Sequence, residues 1–351
     1  IEKDIRDFNN KLSSDEDGII AKANELIRAR LLESFGPIFG QDTQIQFSEV
    51  NFNRIAESLR LLFFPDIKKS FSGDFRTLVE NSLGYNNLLY LATVLAELTE
   101  TGEDYINVLL IEEPEAHLHP QLQIRLLKYL ESTARDKNVQ VIVTTHSPVL
   151  ASSVSLDAII QICVADKTPQ AIALRSCHLS DSSKAFLSRW LDVTKSTLLF
   201  SRGVILVEGI AEAMLLPELA KIVLKDYNEL PKTLEDCGVS IVNMNGIYFN
   251  HFMQLFAGFG ENSSKGIPVH CAGITDNDPP NDSKPTPSNR VLGRNPALHL
   301  KEKVKASKWV RLYSSPLKTF EYDLAFCGNN IKIMAAILFE NWPTKGSTRD
   351  S

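Results

Sequence analysis

Apolar residues recur at helical spacing through 3–35 (Ile5, Phe8 and Leu12, then Ile19, Ile20, Ala23, Leu26, Ile27 and Leu31), with a break at Ser13–Gly18 and a stop at Gly36-Pro37. This pattern predicts two helices. QIQFSEVNF at 44–52 alternates apolar and polar residues as a half-buried strand does, and LRLLFF at 59–64 reads as a second strand ended by Pro65. A polar stretch from Lys68 to Gly84 leads into a strongly apolar helix at 86–99.

From there the pattern alternates between short apolar runs and amphipathic stretches. It predicts strands at 106–112, 139–145, 158–164 and 171–174, a helix at 120–136 and a connecting helix at 184–198. A second unit follows, with strands at 203–208, 238–243 and 268–275, a helix at 210–225, and further helices between and after the later strands. The Pro- and Asn-rich run at 276–290 reads as a loop. Alternation of this kind defines an α/β chain with a mainly parallel sheet in each unit.

Composition adds bounds. At 351 residues and 44% hydrophobic content the chain exceeds a usual single domain and can build proper cores. No apolar run approaches the roughly 20 residues of a spanning helix. The opening IEKDIRDFNNKL lacks the basic-then-apolar order of a signal peptide, so the expectation is a cytoplasmic protein without membrane contact. The five cysteines (Cys163, Cys177, Cys237, Cys271 and Cys327) form no CxxC pair and indicate neither a disulfide framework nor a zinc site. A net charge of −6 argues against coating nucleic acid by bulk electrostatics. Residues 281–320, however, hold nine cations against two anions, a local +7.

Two strands run into carboxylates, VLLIEEPEAHLHP at 108–120 and VILVEGIAEAMLLP at 204–217. The first has the form of a Walker B strand, in which Glu112 would hold magnesium through water and Glu113 would activate the attacking water. About thirty residues on, His146 follows a second buried strand, where an imidazole can sense or hold a γ-phosphate. His117 and His119 lack a third partner for a metal site. In the second centre Glu208 stands at a strand end, Gly209 permits a tight turn, and Glu212 falls one helical turn later. Asp276 and Asp278 sit two apart at another strand end, and four acids gathered there call for a divalent metal.

Glu112-Glu113-Pro114-Glu115 with its His-Leu-His-Pro tail, then Thr-His-Ser-Pro at 145–148, resembles the ABC-type ATPase heads of the SMC and OLD families. That resemblance makes 114–120 the D-loop region and Ser82-Leu83-Gly84-Tyr85-Asn86-Asn87 the signature motif. Ser82 and Gly84, with Glu112, Glu113 and His146, then become ATP contacts, and a homodimer or higher homo-oligomer is implied because a signature motif acts on a partner's nucleotide. No segment satisfies the G-x-x-x-x-G-K-[ST] phosphate loop, and Gly36 to Gly40 has the wrong spacing. The expectation is a partial ATPase head lacking its N-terminal lobe, binding ATP with magnesium only when that lobe is present.

The second centre resembles the TOPRIM domain. The words FSRGVILVEGIAEAMLLPELA, GVSIVNMNGIYFNHFMQLF and LKTFEYDLA narrow the resemblance to OLD-family nucleases, a group associated with phage defence and related to the Gabija nuclease subunit. It implies that Glu208, Glu212, Asp276 and Asp278 bind Mg²⁺ or Mn²⁺, that Glu321 joins a second ion, and that Lys318 stabilises the pentavalent phosphate or the leaving oxygen. Thr275 would help position a ligand. The implied activity is a two-metal DNA endonuclease or nickase regulated by the ATPase head, with a helicase-like or other defence protein as a further partner. The +7 segment, with Arg290, Arg294, Lys301, Lys303, Lys305, Lys308 and Arg311, would carry the DNA backbone.

The domains expected are a helix-and-strand segment at 1–80 that serves dimerisation, an ATPase portion at 81–182, a connecting helix at 183–201 and a Rossmann-like TOPRIM domain at 202–351. Other readings stay open. Lys318 and Glu321 have the spacing of a surface pair, 298–309 can be a solvated helix, and the chain can be a topoisomerase- or primase-like enzyme or a non-catalytic SMC-like DNA clamp.

Overall fold

The computed structural model describes scattered positions within 3–29, then residues 62–63, 76–100, 107–136, 139–165, 167–177, 179–259 and 265–341. The strand expected at 44–52 and the Gly36–Gly40 stretch lie outside the described residues. Between 3 and 29 the described positions are helical apart from Gly18. The chain divides into two compact units, Ile1–Leu89 and Tyr90–Ser351.

In the first unit β1 (Leu62–Phe63) pairs antiparallel with β2 (Arg76–Thr77). Helix α1 (Leu83–Glu100) opens after Ser82, whose hydroxyl accepts the Tyr85 N–H at 3.4 Å. In the second unit β3 (Asn107–Glu112) and β4 (Val139–Thr144) form a parallel pair, joined through α2 (Pro120–Asp136). Leu126, Leu127 and Leu130 give α2 its buried stripe. The register sets Glu112 opposite Thr144, so the acidic pair and the Thr-His segment leave the sheet at one edge.

After α3 (Pro148–Ser153) come β5 (Ile160–Ala165) and β6 (Thr168–Ala173), which pair antiparallel across a turn at Lys167, where φ is +65°. This departs from the expected parallel sheet, because so short a connection can only reverse the chain. The connecting helix also differs. Helix α4 covers Asp181–Trp190, starting early because the Ser180 hydroxyl caps the Ser183 N–H at 3.2 Å. It stops early because Asp192 gathers the Thr194 hydroxyl, the Lys195 N–H and the Lys195 ammonium, and a 3₁₀ turn then spans Lys195–Phe200.

The remaining strands build one parallel sheet in the order β10-β9-β7-β8, with β7 (Gly203–Val207) inside, β8 (Val239–Asn243) on one flank, and β9 (His270–Thr275) then β10 (Val310–Ser314) on the other. Strand β7 is buried on both faces, as its uninterrupted apolar run requires. Around the sheet lie α5 (Ile210–Leu224), α6 (Phe249–Met253), α7 (Leu300–Val304), α8 (Phe320–Phe326) and α9 (Asn330–Asn341). Phe249, Phe252, Met253, Leu206 and Val310 are fully enclosed, each side chain contributing about 1.5–3 kcal/mol by leaving water. At Gly273 a Cβ would lie 2.4 Å from Met253 Cε and 2.6 Å from Leu312 Cδ1, so α6 and β10 close directly on the β9 backbone.

The helix expected at 298–309 ends at Val304, and with Leu300 and Val304 buried it is not a fully solvated one. The Ser307 hydroxyl accepts the N–H groups of Trp309 and Val310, which turns the chain into β10, a strand the sequence pattern does not announce. Because all four strands run the same way, Glu208, Asp276 and Ser315 leave the sheet at its carboxyl edge, where open α/β folds place ligands.

Candidate acidic site at the sheet edge

Glu208 follows β7 and turns Oε2 inward, accepting from the Thr275 hydroxyl at 2.6 Å, the Asp276 N–H at 3.0 Å and the Asn295 amide at 3.3 Å. Thr275 is fully buried, so its hydroxyl is a fixed prop under the carboxylate. Glu212 lies in the first turn of α5, where its Oε2 accepts the Gly209 N–H at 3.1 Å and completes a capping box. Asp276 Oδ1 accepts the Phe320 N–H at 2.9 Å and the Ser315 hydroxyl at 3.3 Å. Asp278 has φ of +46° and holds the Asn295 amide on Oδ2 at 2.9 Å.

Charge ties these groups together. Burial pushes the Asp276 carboxyl up to about 7, helped by the Glu208, Glu212 and Asp278 charges and opposed by the Phe320 N–H. Burial also raises Glu212, with Glu321 and Glu208 adding to it. Asp278 is raised by burial and by Glu208, and lowered by Asn295 and Lys318. Five carboxylates and one ammonium therefore share one electrostatic neighbourhood. Among the described residues no three His, Cys, Asp or Glu side chains converge as a ready-made metal cage. The hydrogen bonds to these acids leave Glu208 Oε1, Asp276 Oδ2 and Asp278 Oδ1 without a hydrogen bond from the described residues. An all-oxygen, charge-crowded donor set fits a hard divalent cation.

Asn295, 4% exposed, bridges Glu208 and Asp278 while its Oδ1 caps the Ala297 N–H at 2.9 Å. Asn277 points the other way and donates to Val291 O and Leu317 O, both at 3.0 Å. Gly293 presses on it so closely that a Cβ would fall 1.8 Å from Asn277 O. Lys318 O accepts the N–H groups of Asn277 and Asp278, while Asp323 accepts the Leu317 and Lys318 N–H groups. Sequence reasoning misses Asn295, Asn277, Ser315 and Asp323. Only the Asn-Pro pair at 295–296 carries a signal, and that signal is for a cap. Glu321 is exposed and accepts the Thr319 hydroxyl at 3.0 Å.

The cations divide. Arg290 and Arg294 are exposed, and the Arg294 N–H bonds Asp278 O at 2.9 Å, which puts that arginine's backbone beside the acids. Lys301 bonds the Ser314 hydroxyl, Lys305 pairs with Glu302 at 3.5 Å, Lys308 sits over the Trp309 ring, and Arg311 donates to Val304 O and Val310 O. Lys303 is exposed.

At the other acidic strand Glu112 and Glu113 are exposed, Glu113 with φ of +44°, and Glu113 Oε1 lies 3.7 Å from His146 Nε2. Glu115, within the same motif, joins the two loops. Its Oε1 accepts the Thr145 hydroxyl at 2.6 Å and the His146 N–H at 2.9 Å. Its Oε2 is buried with no hydrogen bond from the described residues. Ser82 and Gly84 belong to the other compact unit, at the start of α1.

A parallel sheet edge bearing E-G-x-x-E and D-x-D, preceded by a strand ending in paired glutamates, defines an ATPase–TOPRIM protein, and sequence comparison agrees. Residues 1–151 match the AAA ATPase domain and residues 199–278 match the TOPRIM domain of overcoming-lysogenization-defect-like (OLD-like) proteins. The chain thus pairs an ATPase-domain match with a match to the OLD-like TOPRIM domain. It is 28% identical over 197 residues to an endonuclease GajA of Bacillus cereus HuB5-5, covering 47% of this chain and 27% of that protein. It is 33% identical over 139 residues to the Old nuclease of Escherichia phage P2, covering 38% and 23%. The C-terminal region of the Burkholderia pseudomallei OLD protein is 24% identical, with 43% of this chain and 70% of that one covered and a TM-score of 0.30. The chain spans about a quarter of the length of the curated relatives it matches, 27% and 28% for two GajA endonucleases. No described helix is long and apolar enough to cross a membrane.

Proposed function

We propose that this chain is a divalent-metal-dependent DNA endonuclease or nickase, acting at the carboxyl edge of the β10-β9-β7-β8 sheet and regulated by its ATPase region. The observation that carries the reading is the gathering of Glu208, Glu212, Asp276 and Asp278 from separate elements at one sheet edge, where burial first and neighbouring carboxylates next raise Asp276, Glu212 and Asp278, an arrangement costly to a fold unless a cation joins it. The TOPRIM match over 199–278 and the nuclease names of the relatives support it.

Glu208, Asp276 and Asp278 would hold one Mg²⁺ or Mn²⁺, and Glu212 with Glu321 a second. The chemistry such ions supply when bound is polarisation of a phosphoryl oxygen and acidification of water. The chain's own residues orient that chemistry. Thr275 and Asn295 fix the Glu208 carboxylate, Ser315 and the Phe320 N–H fix Asp276, and Lys318 offers positive charge to the phosphate. Water oxygen forms the new bond to phosphorus, the bond from phosphorus to the 3′-oxygen breaks, and the proton passes to that leaving oxygen. Arg290 and Arg294 would contact the DNA backbone beside the acids.

Glu112, Glu113 and His146 would serve an ATP site, with Ser82 and Gly84 contributing to a partner's nucleotide in a homodimer. Phage defence or DNA processing, together with a helicase-like partner, completes the proposal. Plasmid nicking with Mg²⁺, Mn²⁺, Ca²⁺ or EDTA tests it. Nicking by the wild type with Mg²⁺ or Mn²⁺, lost in EDTA and in Glu208→Ala, is expected; undiminished cleavage by Glu208→Ala sinks the assignment.

A further inference from the structure

Beside the acidic edge the structure exposes an aromatic stack that the hydrolytic site does not use. Phe186 and Trp190 lie one turn apart on α4, with ring centroids 5.7 Å apart and planes 14° apart. Tyr248, entering α6, packs on Phe186 at 5.1 Å and stands 6.3 Å from Trp190 with planes 25° apart. His251 stacks under Phe186 at 4.3 Å, held by its Nδ1 contact with the Ser183 hydroxyl at 2.9 Å, and the fully buried Phe252 meets Phe186 edge-on. Phe252 and His251 thus anchor the stack in the core.

Its outer members are left in solvent. Trp190 is 48% and Tyr248 45% exposed. The stack also touches the acidic site through one short link. The Gly246 N–H donates to Glu208 O at 3.0 Å, and a Cβ on Gly246 would come within 3.2 Å of Tyr248 Cε2. Gly246, with φ of +143°, thus links the Tyr248 ring to the Glu208 backbone in the loop after β8. Arg189, exposed and next to Trp190, adds a cation one residue away.

We infer that Trp190 and Tyr248 form a stacking platform for an unpaired nucleobase, so that the preferred substrate carries single-stranded or flipped-out nucleotides beside the scissile phosphate. This rests on the nuclease reading above. Stacking suits the location because it does not depend on the acids' charge, and every base offers a π-face. A base paired inside a duplex has both faces covered by its neighbours, so the platform discriminates by strand state and not by sequence.

The test measures binding of fluorescein-labelled 12-mers by anisotropy in Ca²⁺. The probes are single-stranded oligothymidylate, the same backbone with abasic sites, and a duplex of equal length. The wild type is expected to bind the base-bearing single strand about 10-fold more tightly than the abasic strand, the scale of base–aromatic stacking. Trp190→Ala and Tyr248→Ala should erase that ratio while leaving abasic binding unchanged, and Trp190→Phe, which keeps a ring, should retain most of it. Thermal melts confirm that each variant is folded. Equal binding of base-bearing and abasic strands by the wild type, or an unchanged ratio in both alanine variants, overturns the platform and leaves the rings as a contact for protein. Parallel nicking assays separate the two ideas. Cleavage by the wild type without base dependence removes only the platform, whereas base-dependent binding without cleavage in Mg²⁺ or Mn²⁺ removes only the nuclease reading.

Discussion

Replacing Asp276 with asparagine should abolish cleavage and yet stabilise the metal-free protein. Asparagine keeps an Oδ1 acceptor for the Phe320 N–H and the Ser315 hydroxyl, so what is removed is mainly charge. The carboxyl rises from 3.8 to about 7 in the fold, about 3 pH units. At 1.36 kcal/mol per unit that is an upper bound of about 4 kcal/mol, and with solvent reaching part of the site we expect about 1–2 kcal/mol. The sign follows from linkage. The raised folded value means that ionisation opposes folding; the penalty is absent below about pH 4, grows towards pH 7 and is complete above it. Urea denaturation in EDTA should therefore find Asp276→Asn more stable than the wild type at pH 8 and equal to it near pH 4. Adding Mg²⁺ should reverse the order at pH 8, because the wild type gains binding energy through its folded state. A variant less stable than the wild type in EDTA at pH 8, or an advantage that persists unchanged at pH 4, would refute the reasoning.

Other outcomes follow from the contacts around the site. Asn295→Ala removes a helix cap and the amide shared by Glu208 and Asp278, so it should cost about 2–3 kcal/mol in denaturation and weaken Mg²⁺ binding by calorimetry at least 10-fold. Gly273→Ala forces a methyl against Met253 and Leu312 and should lower stability by about 1–3 kcal/mol, with the parallel sheet's amide exchange accelerated. Glu115→Ala strips the acceptor from the Thr145 hydroxyl and the His146 N–H, costing about 2 kcal/mol and shifting the His146 amide resonance, whereas Glu115→Gln should keep most of both.

Glu208 and Asp276 are legible in the sequence because each ends a largely apolar strand, VILV before Glu208 and CAGIT before Asp276, and a buried strand has only its end at which to show charge. The residues that orient those acids are not. Asn295 reaches Glu208 across 87 positions, and nothing local distinguishes its buried amide from any asparagine before a proline. Strand β10 hides for a different reason. It is short, lies at the sheet edge and alternates Arg311 and Tyr313 with buried neighbours, while the lysine-rich segment before it carries the helical pattern past its true end at Val304. Asp192 likewise ends α4 through its side chain, against an apolar periodicity that continues through Leu198 and Leu199.

The Asn277 amide, clasping Val291 O and Leu317 O with Gly293 pressed against its backbone, does for the 279–292 loop what a ring does for a key chain. Both ends of the loop are pinned at one point, and the Asp-x-Asp segment is held there and by Asn295, Arg294, Ser315, Lys318 and Phe320, all outside the loop. Lengthening such a loop costs only about 0.6 kcal/mol per doubling. The stretch bearing Arg290 can therefore be exchanged, extended or recoded while the acids beneath it keep their places, so that under the proposed function substrate choice and cleavage chemistry would be separately mutable.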